Sequence, residues 1–226
     1  MIKAYIFDLD DTLYPEYDYV KSGFKVVADV LEDKYSIKGA YDKLIKLFDS
    51  DIGNVYNRLF DSEKIRYTSQ DIRELVDLYR KHKPVGLFFF DGVVNTLQDL
   101  RAEGIKLGIV TDGRVECQQA KISALGVCDL VDEIVVTDSL GGECFRKPNP
   151  TAFEIILSRL NVKAEEAVYI GDNPKKDFAI KKYMPIKTVM KKNRQGIYNG
   201  EDFLYGIRPD ATINSISELR DGSLRI

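Results

Sequence analysis

The chain has 226 residues, 44% of them hydrophobic, enough for one large domain or for a domain of ordinary size carrying an insertion. With 33 basic and 36 acidic residues the net charge is −3, too balanced for a nucleic-acid binder or an acidic tail, so any ligand charge has to be met locally. No apolar run approaches the roughly 20 residues of a membrane helix, Met1-Ile2-Lys3 does not open a secretion signal, and Cys117, Cys128 and Cys144 show no CxxC spacing. The expectation is a cytoplasmic protein with reduced, mostly structural thiols, no disulfide framework and no zinc site.

The first element is a strand within residues 1–14, IKAYIFDLD, whose near-continuous hydrophobicity suits the interior of a parallel sheet. It runs into Asp8, Asp10 and Thr12. Period-two geometry turns Asp8 and Asp10 to the same side, so that one can attack as a nucleophile while the other moves protons. Carboxylates this close repel, and a divalent cation would relieve that. The competing reading is that Asp-Asp-Thr only caps a helix.

Residues 15–84 change to helical spacing and read as a helical insertion, with helices at 19–34, 40–51, 55–60 and 69–82. Ser69 is the expected start of the last, ahead of Asp71 and Glu74. The one histidine, His82, lies in Arg80-Lys81-His82-Lys83-Pro84 and reads as a solvated cationic helix end; any mechanism needing two histidines is excluded.

From residue 85 onward strands and helices alternate, as in a doubly wound α/β sheet. A helix at 92–103 stops at Gly104 and is followed by a strand at 105–110. Further strands are expected at 133–137, 167–171 and 186–190, with helices at 116–125, 150–160 and 175–182 between them. Residues 209–216 read as a short edge strand leading to a helix start at Ser215 or Ser217. There is no internal repeat or low-complexity segment.

Parallel sheets collect ligands at the carboxyl ends of their strands. Here the first strand ends in Asp8, the second in Thr111-Asp112-Gly113 and the fourth in Gly171-Asp172-Asn173-Pro174-Lys175-Lys176-Asp177. Lys147, in Arg146-Lys147-Pro148-Asn149-Pro150, opens a helix after the third. Each alone could be a turn, a helix entry or a loop. Their order, placement and charge types nevertheless match one another.

Together, DLDDT at 8–12, TDG at 111–113, Lys147 in RKPNP and GDNPKKD at 171–177 resemble the four dispersed motifs of the haloacid dehalogenase superfamily, across essentially the whole chain. The resemblance implies a Rossmann-like core, residues 1–14 and 85–226, with a helical cap at 15–84, as in the phosphatase-like branch whose cap follows the first motif. It implies that Asp8 is the nucleophile that becomes an aspartyl phosphate, and that Asp10 is the general acid and then base. Thr111 and the backbone N–H groups of Asp112 and Gly113 would bind phosphoryl oxygens, and Lys147 would supply positive charge to Asp8 and to those oxygens. Asp172 would be the main further Mg²⁺ ligand beside the Asp8 side chain and the Asp10 carbonyl, Asp177 would steady the metal's waters or Lys147, and Thr12 and Asn173 would support the set. Cations are needed because an anionic nucleophile will not otherwise approach a phosphoryl group.

The implied activity is a Mg²⁺-dependent phosphatase of a small phosphate monoester, of the sugar-phosphate or nucleotide class, with no nucleic-acid polymer or membrane as partner. A closing cap would admit small metabolites and exclude folded phosphoproteins. Within the family, Asp10 argues against a dehalogenase. A mutase remains an alternative, as does a phosphonate-cleaving enzyme using one of Lys21, Lys25, Lys34, Lys38, Lys43 or Lys46. Outside it stand a non-catalytic phospho-ligand-binding module and a receiver domain, whose phosphorylated aspartate would end the third strand. Tyr14, Tyr17 and Tyr19 could stack on a substrate or simply pack, and Lys21 and Arg58 could meet an anion or be ordinary exposed cations.

Overall fold

The computed structural model of the protein describes residues 1–193, 196 and 200–220. Strands β1 (Ala4–Phe7), β2 (Lys106–Thr111), β3 (Glu133–Val136), β4 (Ala167–Gly171), β5 (Lys187–Lys191) and β6 (Ala211–Ile213) form one parallel sheet in the order β3-β2-β1-β4-β5-β6. Every residue of β1 and β4 is buried, which is why both read as unbroken apolar runs rather than as alternation. Strand β1 lies between β2 and β4, with Phe7 opposite Ile109 and Ile170. The Asp8 N–H continues the ladder to the Ile170 carbonyl at 2.8 Å, so the residues following these three strands emerge side by side.

The chain divides into two compact units, residues 1–16 with 87–226, and residues 17–86. In the first, α5 (Val93–Ala102), α6 (Val115–Leu125) and α7 (Thr151–Leu160) connect the strands. Phe153 and Ile156 of α7 join Ile6, Val110 and Tyr169 in the core. At Gly108 a side chain would begin 2.6 Å from Ile156 Cδ1, so glycine there is what lets α7 lie against β2.

The second unit contains the body of α1 (Glu16–Tyr35) with α2 (Ala40–Ser50), α3 (Val55–Ser62) and α4 (Ser69–Lys81) around Phe24, Leu31, Leu44, Leu59, Phe60 and Leu75. Helix α4 starts at Ser69 as expected, and Thr68 caps it: the Thr68 hydroxyl accepts from the Asp71 N–H while the Asp71 carboxylate accepts from the Thr68 N–H.

Three expectations are corrected. The segment 175–182 is not an α-helix: the Asn173 carbonyl accepts from both the Lys176 and Asp177 N–H groups, closing a tight turn, and only Phe178–Lys182 follow as 3₁₀-helix. His82 is buried rather than solvated, its ring 4.7 Å from that of Tyr19 and its Nδ1 against the Tyr79 carbonyl. The three cysteines are free, but Cys128 and Cys144 are exposed and cannot be packing residues. Among the described residues no helix is long and apolar enough to cross a membrane.

Candidate active site

A cavity of about 250 Å³ in the first unit is lined by Asp8, Asp10, Glu16, Asp112, Asp172 and Lys176, among others. Six carboxylates border it, counting Asp11, against the two cations Arg146 and Lys176, so an anionic ligand needs further positive charge to enter.

Asp8 is almost fully buried. Its Oδ1 accepts from the Leu9 N–H at 2.8 Å and meets Lys147 Nζ at 2.8 Å. The same ammonium reaches Asp177 Oδ1 at 2.9 Å and the Tyr169 hydroxyl at 2.8 Å, which accounts for all three of its protons. Burial opposes the charge on Lys147, but Asp177 and Asp8 more than offset it and raise its pKa. Burial likewise pushes Asp8 up to about 6, against the pull of Lys147 and Lys176.

Asp172 forms no ion pair among the described residues, and the pull of Lys176 on it is outweighed. Burial, with Asp177, Asp8 and Asp11 nearby, holds its carboxyl well above the usual range. Oxygens of Asp8, Asp172 and Asp177 lie within 4.8 Å of one another, a hard-oxygen group that could hold a divalent cation. Thr12 donates to Asp172 Oδ1 at 3.3 Å, and the Asn173 N–H donates to Asp177 Oδ2 at 2.8 Å. Gly171 permits this turn, because a Cβ there would stand 2.5 Å from Asp177 Oδ2.

Asp10 lines the same cavity but is held from α6. Lys121 Nζ lies 2.7 Å from its Oδ1, the Tyr14 hydroxyl donates to the same oxygen at 2.5 Å, and Gln118 Nε2 donates to Oδ2 at 2.9 Å. Burial raises the pKa of Asp10, but Lys121 and these hydrogen bonds outweigh it and hold the carboxyl below its ordinary value. Glu16, 3.7 Å from Lys121, is pushed up to about 7 by burial and by the charge of Asp10.

In the second-strand motif, the Thr111 and Asp112 side chains have protein partners. Thr111 is fully buried and its hydroxyl accepts from Gln118. The Asp112 side chain accepts from the Lys147 N–H and the Thr137 hydroxyl, each at 3.0 Å, and meets Lys176 Nζ at 3.2 Å. Gly113, at φ 137°, lines the cavity.

In the helical unit, Arg58 is spent on the carbonyls of Leu47, Asp51 and Gly53, and Lys21 pairs with Asp18. None of Lys21, Lys25, Lys34, Lys38, Lys43 and Lys46 is buried, which argues against a Schiff-base lysine among them.

Tyr14, Tyr169, Gln118, Lys121 and Glu16 escaped the motif reading. Gln118 and Lys121 had one usable signal: they stand three apart on the helix that leaves β2, and so share the face that returns to the strand ends.

A buried carboxylate locked to a lysine at the end of a central parallel strand, with a second carboxylate two residues on, defines a class of hydrolase, and comparison places the chain within it. It belongs to the haloacid dehalogenase-like hydrolase family, whose model matches residues 5–191. It is 32% identical to the glyceraldehyde 3-phosphate phosphatase of Methanocaldococcus jannaschii over 228 residues, covering 98% of this chain and 96% of the relative. Among solved structures it resembles a HAD phosphatase from Thermococcus onnurineus, at TM-score 0.63 and 27% identity with both chains fully covered. It also resembles a 2-haloacid dehalogenase from Pseudomonas syringae, at TM-score 0.64 and 25% identity, with 98% of this chain and 97% of the other covered.

Proposed function

We propose that the protein is a magnesium-dependent, cytoplasmic phosphatase that hydrolyses a small phosphate monoester through an aspartyl phosphate on Asp8. The observation that carries this reading is the pair of differently held carboxylates on one cavity: Asp8 fixed by Lys147, and Asp10 held separately by Lys121, Gln118 and Tyr14. A dehalogenase attacking carbon has no work for the second.

In the first half-reaction an Asp8 oxygen forms a bond to phosphorus as the ester P–O bond breaks, and a proton from Asp10 goes to the departing alkoxide. In the second, water attacks phosphorus, Asp10 takes its proton, and phosphate leaves with Asp8 restored. Lys121 favours the anionic Asp10 of the second step. A phosphoryl dianion arriving at the cavity raises the affinity of Asp10 for the proton that the first step requires.

Asp8 and Asp172 through their side chains, with the Asp10 carbonyl, are the residues that would hold Mg²⁺. When bound, it supplies the positive charge that the acidic cavity lacks. Asp177 is already committed to Lys147 and to the Asn173 N–H, so its part is to fix that lysine.

Sugar phosphates stand first in the substrate class, ahead of nucleotides, because a relative that shares nearly the whole length of this chain at 32% identity is named for a triose phosphate. The helical unit follows the first motif, where this branch of the family carries its cap.

The test is release of inorganic phosphate from sugar phosphates, nucleotides and p-nitrophenyl phosphate, with Mg²⁺ or EDTA, for the wild type beside Asp8→Asn. Turnover by the wild type in Mg²⁺, abolished by EDTA and by Asp8→Asn, is the expected result. Halide release from 2-haloacids without phosphate release would replace this reading with the dehalogenase.

A further inference from the structure

We propose that Lys176 is a second catalytic cation, the one that grips the transferring phosphoryl group, while Lys147 acts on the nucleophile. This rests on the phosphatase reading above and adds to it a residue that the family motifs did not assign.

Lys147 is poorly placed to hold substrate. Its side chain is 0% exposed, and its three N–H bonds already go to Asp8, Asp177 and Tyr169. To bind a phosphoryl oxygen it would have to leave a buried carboxylate or strand a buried hydroxyl.

Lys176 is the opposite case. Its side chain is 27% exposed and lines the cavity, with Nζ 3.2 Å from Asp112 Oδ2 and 3.8 Å from Asp8 Oδ2. The second distance is too long for a hydrogen bond, so Lys176 stands beside Asp8 Oδ2 without being bonded to it. Asp8 Oδ1 is occupied by the Leu9 N–H and Lys147, so Oδ2 is the oxygen that faces Lys176. A phosphorus in the near-attack range of about 3–3.5 Å from Oδ2 brings its equatorial oxygens within reach of an ammonium poised beside that oxygen.

Lys176 is also held ready. Its own N–H donates to the Asn173 carbonyl at 3.2 Å, and the next residue, Asp177, is fully buried. Asp112 is a fixed post, because its Oδ1 accepts from the Lys147 N–H and the Thr137 hydroxyl, leaving Oδ2 for Lys176. The arrangement is a preorganised donor of the kind that stabilises charge spread over a phosphoryl group in transfer.

The bland alternative is that Lys176 only balances an acidic cluster. Steady-state kinetics in Mg²⁺ with the best ester of the panel, together with inhibition by orthovanadate as a stand-in for the five-coordinate phosphoryl group, separates the two. Compared are the wild type, Lys176→Met and Lys176→Arg, with melting temperatures recorded for each.

Lys176→Met should lower kcat/KM about 10²–10³-fold, the usual cost of removing one such donor, and weaken vanadate inhibition in parallel. Lys176→Arg should recover part of both. A Met variant within about threefold of wild type in both readouts, or one that loses turnover while vanadate binds as before, overturns the assignment and leaves the phosphatase standing. A wild type that neither turns over any ester nor binds vanadate brings down the phosphatase reading, and this one with it.

Discussion

Lys121→Met tests whether the cation beneath Asp10 matters, because it keeps the bulk of the side chain while deleting its charge. The Lys121 side chain is 5% exposed, lies 2.7 Å from Asp10 Oδ1 and 3.7 Å from Glu16, and sits on α6 one turn beyond Gln118. Breaking a buried pair by removing one partner costs about 3–5 kcal/mol, because the charge left behind has lost its compensation. The Tyr14 hydroxyl and Gln118 amide still donate to Asp10 in the variant, so the lower end, about 3 kcal/mol, is expected. For a chain of this length that corresponds to a fall of roughly 6–12 °C in melting temperature. Without Lys121 the burial of Asp10 is no longer outweighed, and its carboxyl should move above its ordinary range.

Urea unfolding of the wild type, Lys121→Met, Asp10→Asn and the double variant at pH 7.5 closes the cycle, with a coupling energy of about 2 kcal/mol expected for groups in contact. A single variant within about 1 kcal/mol of wild type, or a coupling below about 0.5 kcal/mol, would falsify the claim that this pair holds Asp10 in place.

Glu16→Gln should stabilise the protein at alkaline but not at acidic pH. The folded-state pKa of Glu16 is raised from 4.5 to about 7, so its favourable contribution is complete below 4.5 and is lost as pH climbs through 7. That displacement amounts to about 3 kcal/mol if taken whole. With a side chain 26% exposed, about 2 kcal/mol is the expected advantage of the variant at pH 8, shrinking toward zero at pH 5. Urea midpoints measured in EDTA decide it, and a gap that does not widen with pH counts against the argument. Gly171→Ala should destabilise by about 1–3 kcal/mol, as overpacking does, and should lower kcat as well, since the new Cβ would press on Asp177 Oδ2 from 2.5 Å. Asp177 in turn anchors Lys147. An alanine variant matching wild type in both measurements would show that the turn can relax at no cost.

Periodicity in this chain carries the buried strands, whereas only packing decides which polar residues are buried with them. Strands β1 and β4 were legible because burial on both faces leaves no charged residue inside them. The site motifs were legible because a parallel sheet delivers the residues after its strands to one edge. His82 and Lys121 went the other way. Both are polar residues amid charged or mixed helical sequence, where exposure is the ordinary outcome, and both are buried. Burial of Lys121 requires Asp10 and Glu16 together, from a segment more than a hundred residues earlier in the chain, and no local pattern in α6 reports that.

The Lys175-Lys176 pair makes the same point at finer scale. In sequence the two are interchangeable, yet Lys175 is exposed while Lys176 reaches Asp112 and Asp8. What distinguishes them is the turn closed on the Asn173 carbonyl, which replaced the expected α-helix over 175–182 and fixes which lysine faces the cavity. The error in secondary structure and the missing site residue therefore have one cause. A helix beginning at Lys175 would have offered both lysines as ordinary first-turn residues, unfavourable to the helix dipole, whereas the turn makes one of them a cation aimed at the nucleophile.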